Sequence, residues 1–258
     1  MQNELELKTL DDYRELAQNS DVSTQNYVEK NDFFSYPLDD YQDSQLHSAM
    51  IDSILGIDVI DTEKGMRQKA QKLQGAGTVE SWSAALHDGS LTWVGLNPAQ
   101  LQTPYAELLE LIEELGPEKN DHFIDLGAGY GRLGILLGKL YPKCVFTGYE
   151  MAGERVDVGN ESYVGLGLNN SKLFQKNIAS ESFKLPVADF YFIYDFGNLP
   201  DMKKLLAKLE VLADEKRKFT VIARGRGINS LIQQTAPWLS VSTKIVFTAR
   251  ARGSFWWC

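Results

Sequence analysis

The sequence predicts an α/β protein: a doubly wound, mainly parallel seven-stranded sheet that ends in a C-terminal antiparallel hairpin, preceded by a mostly helical N-terminal extension. Three observations carry that prediction. Phe123-Ile124-Asp125-Leu126-Gly127-Ala128-Gly129-Tyr130-Gly131-Arg132 reads as a short apolar strand, an acid near its carboxyl end and a tight glycine turn that opens a helix. Downstream of it, strand-length apolar runs alternate with helical patterns, the signature of parallel strands joined by crossovers. The last two β-rich runs, 239–249 and 254–257, are separated by a linker too short for a crossover helix, so they pair as an antiparallel hairpin.

Taken in order, residues 1–100 form the helical extension and residues 101–258 the sheet domain. Leu5, Leu7, Leu10, Tyr13 and Leu16 fit an amphipathic helix. Asn31-Asp32-Phe33-Phe34-Ser35-Tyr36-Pro37 reads as a loop carrying aromatics. Leu46, Met50, Ile51, Ile54 and Leu55 line one helix face, and Gly56 is the natural stop. Helices follow over 64–73, ended by Gly75-Ala76-Gly77, and over 79–86, capped by Thr78. Thr103 and Pro104 read as an N-cap and first-turn pair for a helix over 105–115, whose Leu108, Leu111, Ile112 and Leu115 form an apolar face; Gly116-Pro117 ends it. The helix after the glycine turn runs to Tyr141 and stops at Pro142. Further strands are expected over 144–149, 172–176, 188–194 and 219–223, with helices over 155–166 and 202–213.

Composition bounds the class. Hydrophobic content of 43% and charged content of 24% suit a globular chain of 258 residues. No apolar run reaches the roughly 20 residues that a membrane helix needs, and the acidic start, Met1-Gln2-Asn3-Glu4, has no apolar signal core, so a cytoplasmic location is expected. Cys144 and Cys258 make neither a disulfide framework nor a zinc set, and His47, His87 and His122 lack ligand spacing, so no metal is expected. The net charge of −9 is concentrated at the start: residues 1–70 carry 15 Asp and Glu against 6 Lys and Arg, and the remainder is neutral. Beyond Glu215 there are bases and no acid. Intramolecular complementarity is the favoured reading. An acidic docking surface for a basic protein and a basic patch for nucleic acid stand as the functional alternatives, the overall acidity arguing against nucleic acid as the main partner.

In a doubly wound sheet the ligand lies across the carboxyl ends of the strands. The residues there are Asp125 with Gly127, Ala128, Gly129 and Gly131, then Glu150, Asn177, Ile178, Asp195 and Phe196. Alternating glycines let a ligand press on bare backbone, and the N–H groups of the turn and helix start favour negative groups. Glu150, 23 positions after Gly127, suits a carboxylate accepting hydrogen bonds from both ribose hydroxyls. Asn177 offers a donor and an acceptor to an adenine edge, or caps a turn; Ile178 and Phe196 are placed to sandwich the ring; Asp125 and Asp195 are placed to orient a cation. Gly129, Gly131 and Gly134 also satisfy the G-x-G-x-x-G pattern of nicotinamide dehydrogenases. The frame is wrong for it: the first glycine after the strand is Gly127, and the sixth position is then Arg132.

The arrangement resembles the class I S-adenosylmethionine-dependent methyltransferases over roughly residues 100–258, terminal hairpin included. In that resemblance Asp125–Gly131 is the first signature, Glu150 the ribose-binding acid and Asp195 the acid ending the fourth strand. Gln102-Thr103-Pro104-Tyr105 leading into Asp125 is also similar to the non-SET protein lysine methyltransferases. Two departures stand out. Asn177 occupies a position where the family usually has an acid. Asp195-Phe196-Gly197-Asn198 lacks the Pro-Pro-aromatic run of enzymes that methylate nucleobase amines. The resemblance implies S-adenosylmethionine as cofactor and a methyl acceptor that is a protein lysine, an RNA or a small molecule. From the residues themselves, no metal and no membrane partner are expected. The resemblance places Asp195, Phe196 and Tyr105 near the methyl group, Asp195 as the candidate catalytic residue and Tyr105 among the cofactor contacts. A non-catalytic, partner-binding version of the fold is the remaining alternative.

Overall fold

The strands sort their side chains by parity, and that alternation builds the molecule. The computed structural model describes residues 7–18, 27, 31–36, 40–74, 102–194, 196–214, 219–236 and 238–239. Its sheet comprises β1 (His122–Leu126), β2 (Val145–Glu150), β3 (Ser171–Gln175), β4 (Phe190–Tyr194) and β5 (Thr220–Arg224), all parallel, in the order β3-β2-β1-β4-β5. Phe123, Phe146, Leu173, Phe192 and Ile222 face one core. Ile124, Tyr149, Tyr191, Ile193, Val221 and Ala223 face the other. Successive side chains of a strand point to opposite faces, so nearly continuous apolar runs feed two cores at once. All five expected parallel strands are present. The described sheet thus has five strands rather than seven, because the expected hairpin lies, but for Leu239, outside the described residues.

Four helices precede the sheet: α1 (Leu10–Gln18), α2 (Asn31–Phe34), α3 (Tyr41–Ile54) and α4 (Val59–Gln74). Next come α5 (Tyr105–Leu115), leading into β1, then α6 (Arg132–Leu140) after β1 and α7 (Gly153–Gly165) after β2, all three on the first core. α8 (Leu199–Asp214) and α9 (Arg226–Thr235) cover the second. Helix α9 adds to the expected elements: Ile228, Leu231 and Ile232 have helical spacing and all three are buried. No helix joins β3 to β4; the Lys208 ammonium, reaching from α8, instead gathers the carbonyls of Ser180 and Phe183 at 2.5 and 2.9 Å. No helix of the described residues is long and apolar enough to cross a membrane.

The N-terminal helices differ most from expectation. The aromatic loop contains the short helix α2, with Phe33 and Phe34 buried. On α3, Leu46 is 50% exposed, while Ser44, Gln45, His47, Ser48 and Asp52 are buried beside Ile51. This face is polar because it serves the neighbouring elements. The Ser48 hydroxyl accepts a hydrogen bond from the Tyr105 N–H at 2.9 Å, which caps the start of α5. Thr103 therefore does not act as the N-cap: Pro104 holds that position with no side-chain cap, and the cap comes from another helix. Gly116 ends α5 in the left-handed region as expected.

Asp52 is held by Arg132, the first residue of α6. The Arg132 Nε lies 3.1 and 3.2 Å from the two Asp52 oxygens, and its Nη2 also binds Oδ2. Nη1 donates to the Thr103 carbonyl at 3.0 Å, and the guanidinium lies over the Tyr105 ring. Both charged residues are buried. Burial pushes the Asp52 carboxyl up, and the Arg132 charge partly offsets it. Removing one member strands the other charge in the core, which costs about 3–5 kcal/mol. Asp52→Ala should lose that much in urea unfolding, whereas Asp52→Leu combined with Arg132→Met should recover most of it.

His47, also buried, stacks on Tyr36 at 4.9 Å and meets the edge of Tyr13 at 4.4 Å. Neither ring nitrogen makes a hydrogen bond among the described residues. Burial pulls its pKa down to about 4 from an ordinary 6.5. The unfolded chain then binds the extra proton between these values, so stability falls as pH drops from 6.5 to 4, by up to about 3 kcal/mol. Chemical unfolding of His47→Phe across that window should show this part of the acid loss removed.

Candidate functional site

The chain order reverses between β1 and β4, and the carboxyl ends of these strands are where a doubly wound sheet has its binding crevice. Its floor is the glycine turn after β1. The Gly127 and Ala128 N–H groups both donate to the Tyr149 carbonyl, at 2.9 and 3.0 Å. Gly129 N–H donates to Glu150 Oε2 at 3.0 Å, and Gly131 N–H to the Ala128 carbonyl at 2.8 Å. The expectation that these N–H groups face a negative ligand is therefore corrected: those of the four named residues are taken within the protein. A pyrophosphate would find no donor among them.

The glycines serve different neighbours. Gly129 has φ 56°, and a Cβ there would meet no atom of the described residues within 4 Å. Gly131 has φ 80°, and a Cβ there would collide with the Tyr163 hydroxyl, which donates to the Gly131 carbonyl at 2.8 Å. Gly131 is thus demanded by packing behind the turn, where Tyr163 of α7 is buried.

Glu150 ends β2 and is nearly buried. Its Oε1 accepts the N–H groups of Met151 and Ala152, both at 2.9 Å, and its Oε2 accepts Gly129. The Arg155 Nη1 stands 3.6 Å from Oε1. A carboxylate has about four acceptor positions, so three backbone bonds leave room for roughly one hydroxyl at Oε2. Asp125 lies across from it. Asp125 keeps part of its surface open, and its carboxyl has no hydrogen-bond partner among the described residues. Burial of the carboxyl, with the neighbouring Glu150 charge, pushes its pKa up to about 7.

The other expected residues divide. Ile178 is buried in the second core, and Phe196 is partly buried against it, with its Cβ at van der Waals distance from where a Gly127 side chain would be. Asn177 Oδ1 accepts the Ala179 N–H at 3.0 Å, so it caps a turn. Asp195 lies outside the described residues. Tyr105, expected beside the methyl group, is instead fully buried behind the turn, its hydroxyl donating to Asp52 Oδ1 at 3.2 Å. Arg224, not among the expected site residues, ends β5 beside the crevice and forms a bidentate pair with Glu107 of α5 at 2.5 and 2.7 Å, its guanidinium over the Tyr194 ring. Glu63, also missed, binds Arg155 and Tyr130 from α4. Distance in sequence hid both pairs.

No protein-family model matches the chain, and no curated protein matches it. Solved structures do match in part. The chain resembles the C-terminal domain of precorrin-6Y C5,15-methyltransferase from Rhodobacter capsulatus at 16% identity and a TM-score of 0.40, over 52% of this chain and 70% of that one. It resembles the YcgJ protein from Bacillus subtilis at 18% identity and 0.34, over 38% of this chain and 44% of that one. It resembles PKMT2 from Rickettsia typhi, solved with AdoHcy, at 19% identity and 0.32, over 35% of this chain and 18% of that one. The chain thus spans less than half the length of two of these three. Methyltransferases stand among the solved structures that it resembles, at scores that mark a partial likeness; the chemistry is set by the crevice residues themselves.

The raised pKa of Asp125 makes the stability of the folded chain depend on pH. The folded chain holds a proton there that the unfolded chain has lost, so stability falls as pH rises from about 4 to 7. Asp125→Asn stays neutral throughout. Its melting temperature should exceed the wild-type value by a few degrees at pH 8 and match it near pH 4.

Proposed function

We propose that the chain is a cytoplasmic methyltransferase that uses S-adenosylmethionine, with residues 101–258 as its cofactor domain and the N-terminal helices selecting the acceptor. One observation carries the reading. The crevice presents Asp125, a carboxyl with no hydrogen-bond partner among the described residues, and a second carboxylate, Glu150, with one acceptor position left over, while the turn between them offers no N–H from Gly127, Ala128, Gly129 or Gly131. Such a site suits a cationic, hydroxyl-bearing ligand and repels a pyrophosphate, which sets the methyltransferase ahead of the nicotinamide dehydrogenase.

In this reading Asp125 orients the cofactor's cationic amino-acid end. Glu150 takes a ribose hydroxyl, and Ile178 and Phe196 supply apolar contact to the adenine, with Asn177 at its edge. When bound, the cofactor supplies an activated methyl group for in-line displacement. The protein's part is alignment and exclusion of water. Asp195, next to Phe196, is the residue proposed to face the acceptor. The acceptor is proposed to be a protein lysine amine, on the similarity carried by Gln102–Tyr105. RNA and small molecules are the competing acceptors.

Calorimetric titration should give S-adenosylhomocysteine binding that tightens about tenfold from pH 6 to pH 8, as Asp125 ionises. Gly129→Arg should abolish it, because the side chain would fill the open space above the turn. NAD and NADP should not bind. Labelled methyl transfer into separated protein, RNA and metabolite fractions then identifies the acceptor, and label confined to RNA would refute the lysine reading. Absence of S-adenosylhomocysteine binding at every pH would refute the cofactor.

A further inference from the structure

Between β3 and β4 the chain crosses without a helix, by way of two successive turns. The Ser180 N–H donates to the Asn177 carbonyl and the Phe183 N–H to the Ser180 carbonyl, both at 3.1 Å. Asn177 Oδ1 braces the first turn by accepting the Ala179 N–H at 3.0 Å. Ile178 and Phe183 are buried, but Ala179, Ser180, Glu181 and Ser182 between them are not. The apolar anchors therefore stand at the two ends, and the middle is held by polar contact. The Lys208 ammonium of α8 supplies it. It donates to the Ser180 and Phe183 carbonyls at 2.5 and 2.9 Å and reaches the Ile178 carbonyl at 3.4 Å. An ammonium has three donors, and three carbonyls converge on this one. It also lies over the Phe183 ring, 5.2 Å from its centre. Phe183 in turn meets Tyr149 edge to face at 5.0 Å, and the Tyr149 carbonyl is the acceptor for the Gly127 and Ala128 N–H groups. The clamp is continuous with the glycine turn.

We infer that Lys208 is a positioning residue of the crevice: by gathering these carbonyls it holds the two turns in the form that sets Asn177 and Ile178 at the adenine end of the cofactor. The inference rests on the reading of the crevice as an S-adenosylmethionine site. A crossover helix would satisfy its own carbonyls; these turns do not. Carbonyl dipoles aimed at one point repel one another unless a cation stands there. With an apolar side chain at position 208 they lose their donor, turn toward water and open the turns. The two carboxylates are independent of this clamp: three backbone N–H groups hold Glu150, and Asp125 belongs to β1. The ammonium therefore governs the adenine end of the site and not the ribose or amino-acid end.

The test compares three ligands on the full chain, by ligand-observed nuclear magnetic resonance so that weak binding is measured too. S-adenosylhomocysteine and 5′-methylthioadenosine carry adenine; S-ribosylhomocysteine lacks it. Lys208→Met keeps the apolar stem and removes the donors. It should weaken both adenine ligands about tenfold, the scale of one hydrogen bond to a charged group, and leave S-ribosylhomocysteine unchanged within about twofold. Lys208→Arg keeps the charge, but its planar fork cannot serve three carbonyls that converge on one point. It should show the same selective loss at about threefold, and it carries the test should Lys208→Met not fold. Equal loss for all three ligands would assign Lys208 a general structural role and overturn the inference, as would folded variants that bind all three like the wild type. A wild-type chain that binds S-ribosylhomocysteine as tightly as S-adenosylhomocysteine overturns the adenine contact and the inference with it. A wild-type chain that binds none of the three overturns the cofactor reading before any variant is measured.

Discussion

Arg132 is the constraint on which the rest of the structure depends. It is the first residue of the helix that follows the glycine turn, and it is buried. A guanidinium cannot be neutralised in a protein, so its charge must be matched where it lies. Asp52 matches it from α3, 80 residues away, and the Thr103 carbonyl takes a further N–H. This one requirement draws the N-terminal helices against the sheet. It fixes the approach to α5 and aims the turn into the crevice. Tyr105, Ser48 and Phe34 then pack around the pair.

The same logic recurs twice more. Glu63 matches Arg155 beneath Glu150, and Glu107 matches Arg224 at the end of β5. Each pair joins a helix from the N-terminal side of β1 to an element at the carboxyl edge of the sheet. The acidic start of the chain is therefore in part a set of counter-charges. The complementarity expected from the charge distribution exists, but for Asp52 and Glu63 the partners are arginines of the central segment. The extension is not a separable tail. A truncation of residues 1–60 leaves Arg132 uncompensated and exposes the core residues that Ile51 and Phe34 cover, so it unsettles the sheet domain as well as the acceptor side.

The crevice combines two kinds of carboxylate. Glu150 is rigid because three backbone N–H groups hold it, and that rigidity orients whatever it accepts. Asp125 has no such support and is held near neutrality by burial and by Glu150. A cationic ligand relieves both the repulsion and the missing partner. Ligand binding and ionisation of Asp125 are then linked, and the unrelieved repulsion between Asp125 and Glu150 is greatest above pH 7.

The sequence by itself determined the five parallel strands, the glycine turn and the position of Glu150. Each is a local pattern: apolar runs of strand length, glycines at a strand end, an acid at the next strand end. Period-two alternation into two cores follows from the same runs, as Phe123 and Ile124 illustrate. Only the tertiary structure decided which polar residues stand behind the crevice. Ser48 capping α5, Asp52 under Arg132, Glu63 on Arg155 and Asp52 under the buried Tyr105 all join residues 53 to 92 positions apart. The buried face of α3 differs from the expected apolar stripe for that reason. An apolar stripe is what a helix shows when it packs on hydrocarbon; a helix that supplies caps and counter-charges to its neighbours buries serines, a histidine and an aspartate instead. The distinction lies in what the partner surface needs, and a single chain segment holds no record of its partner.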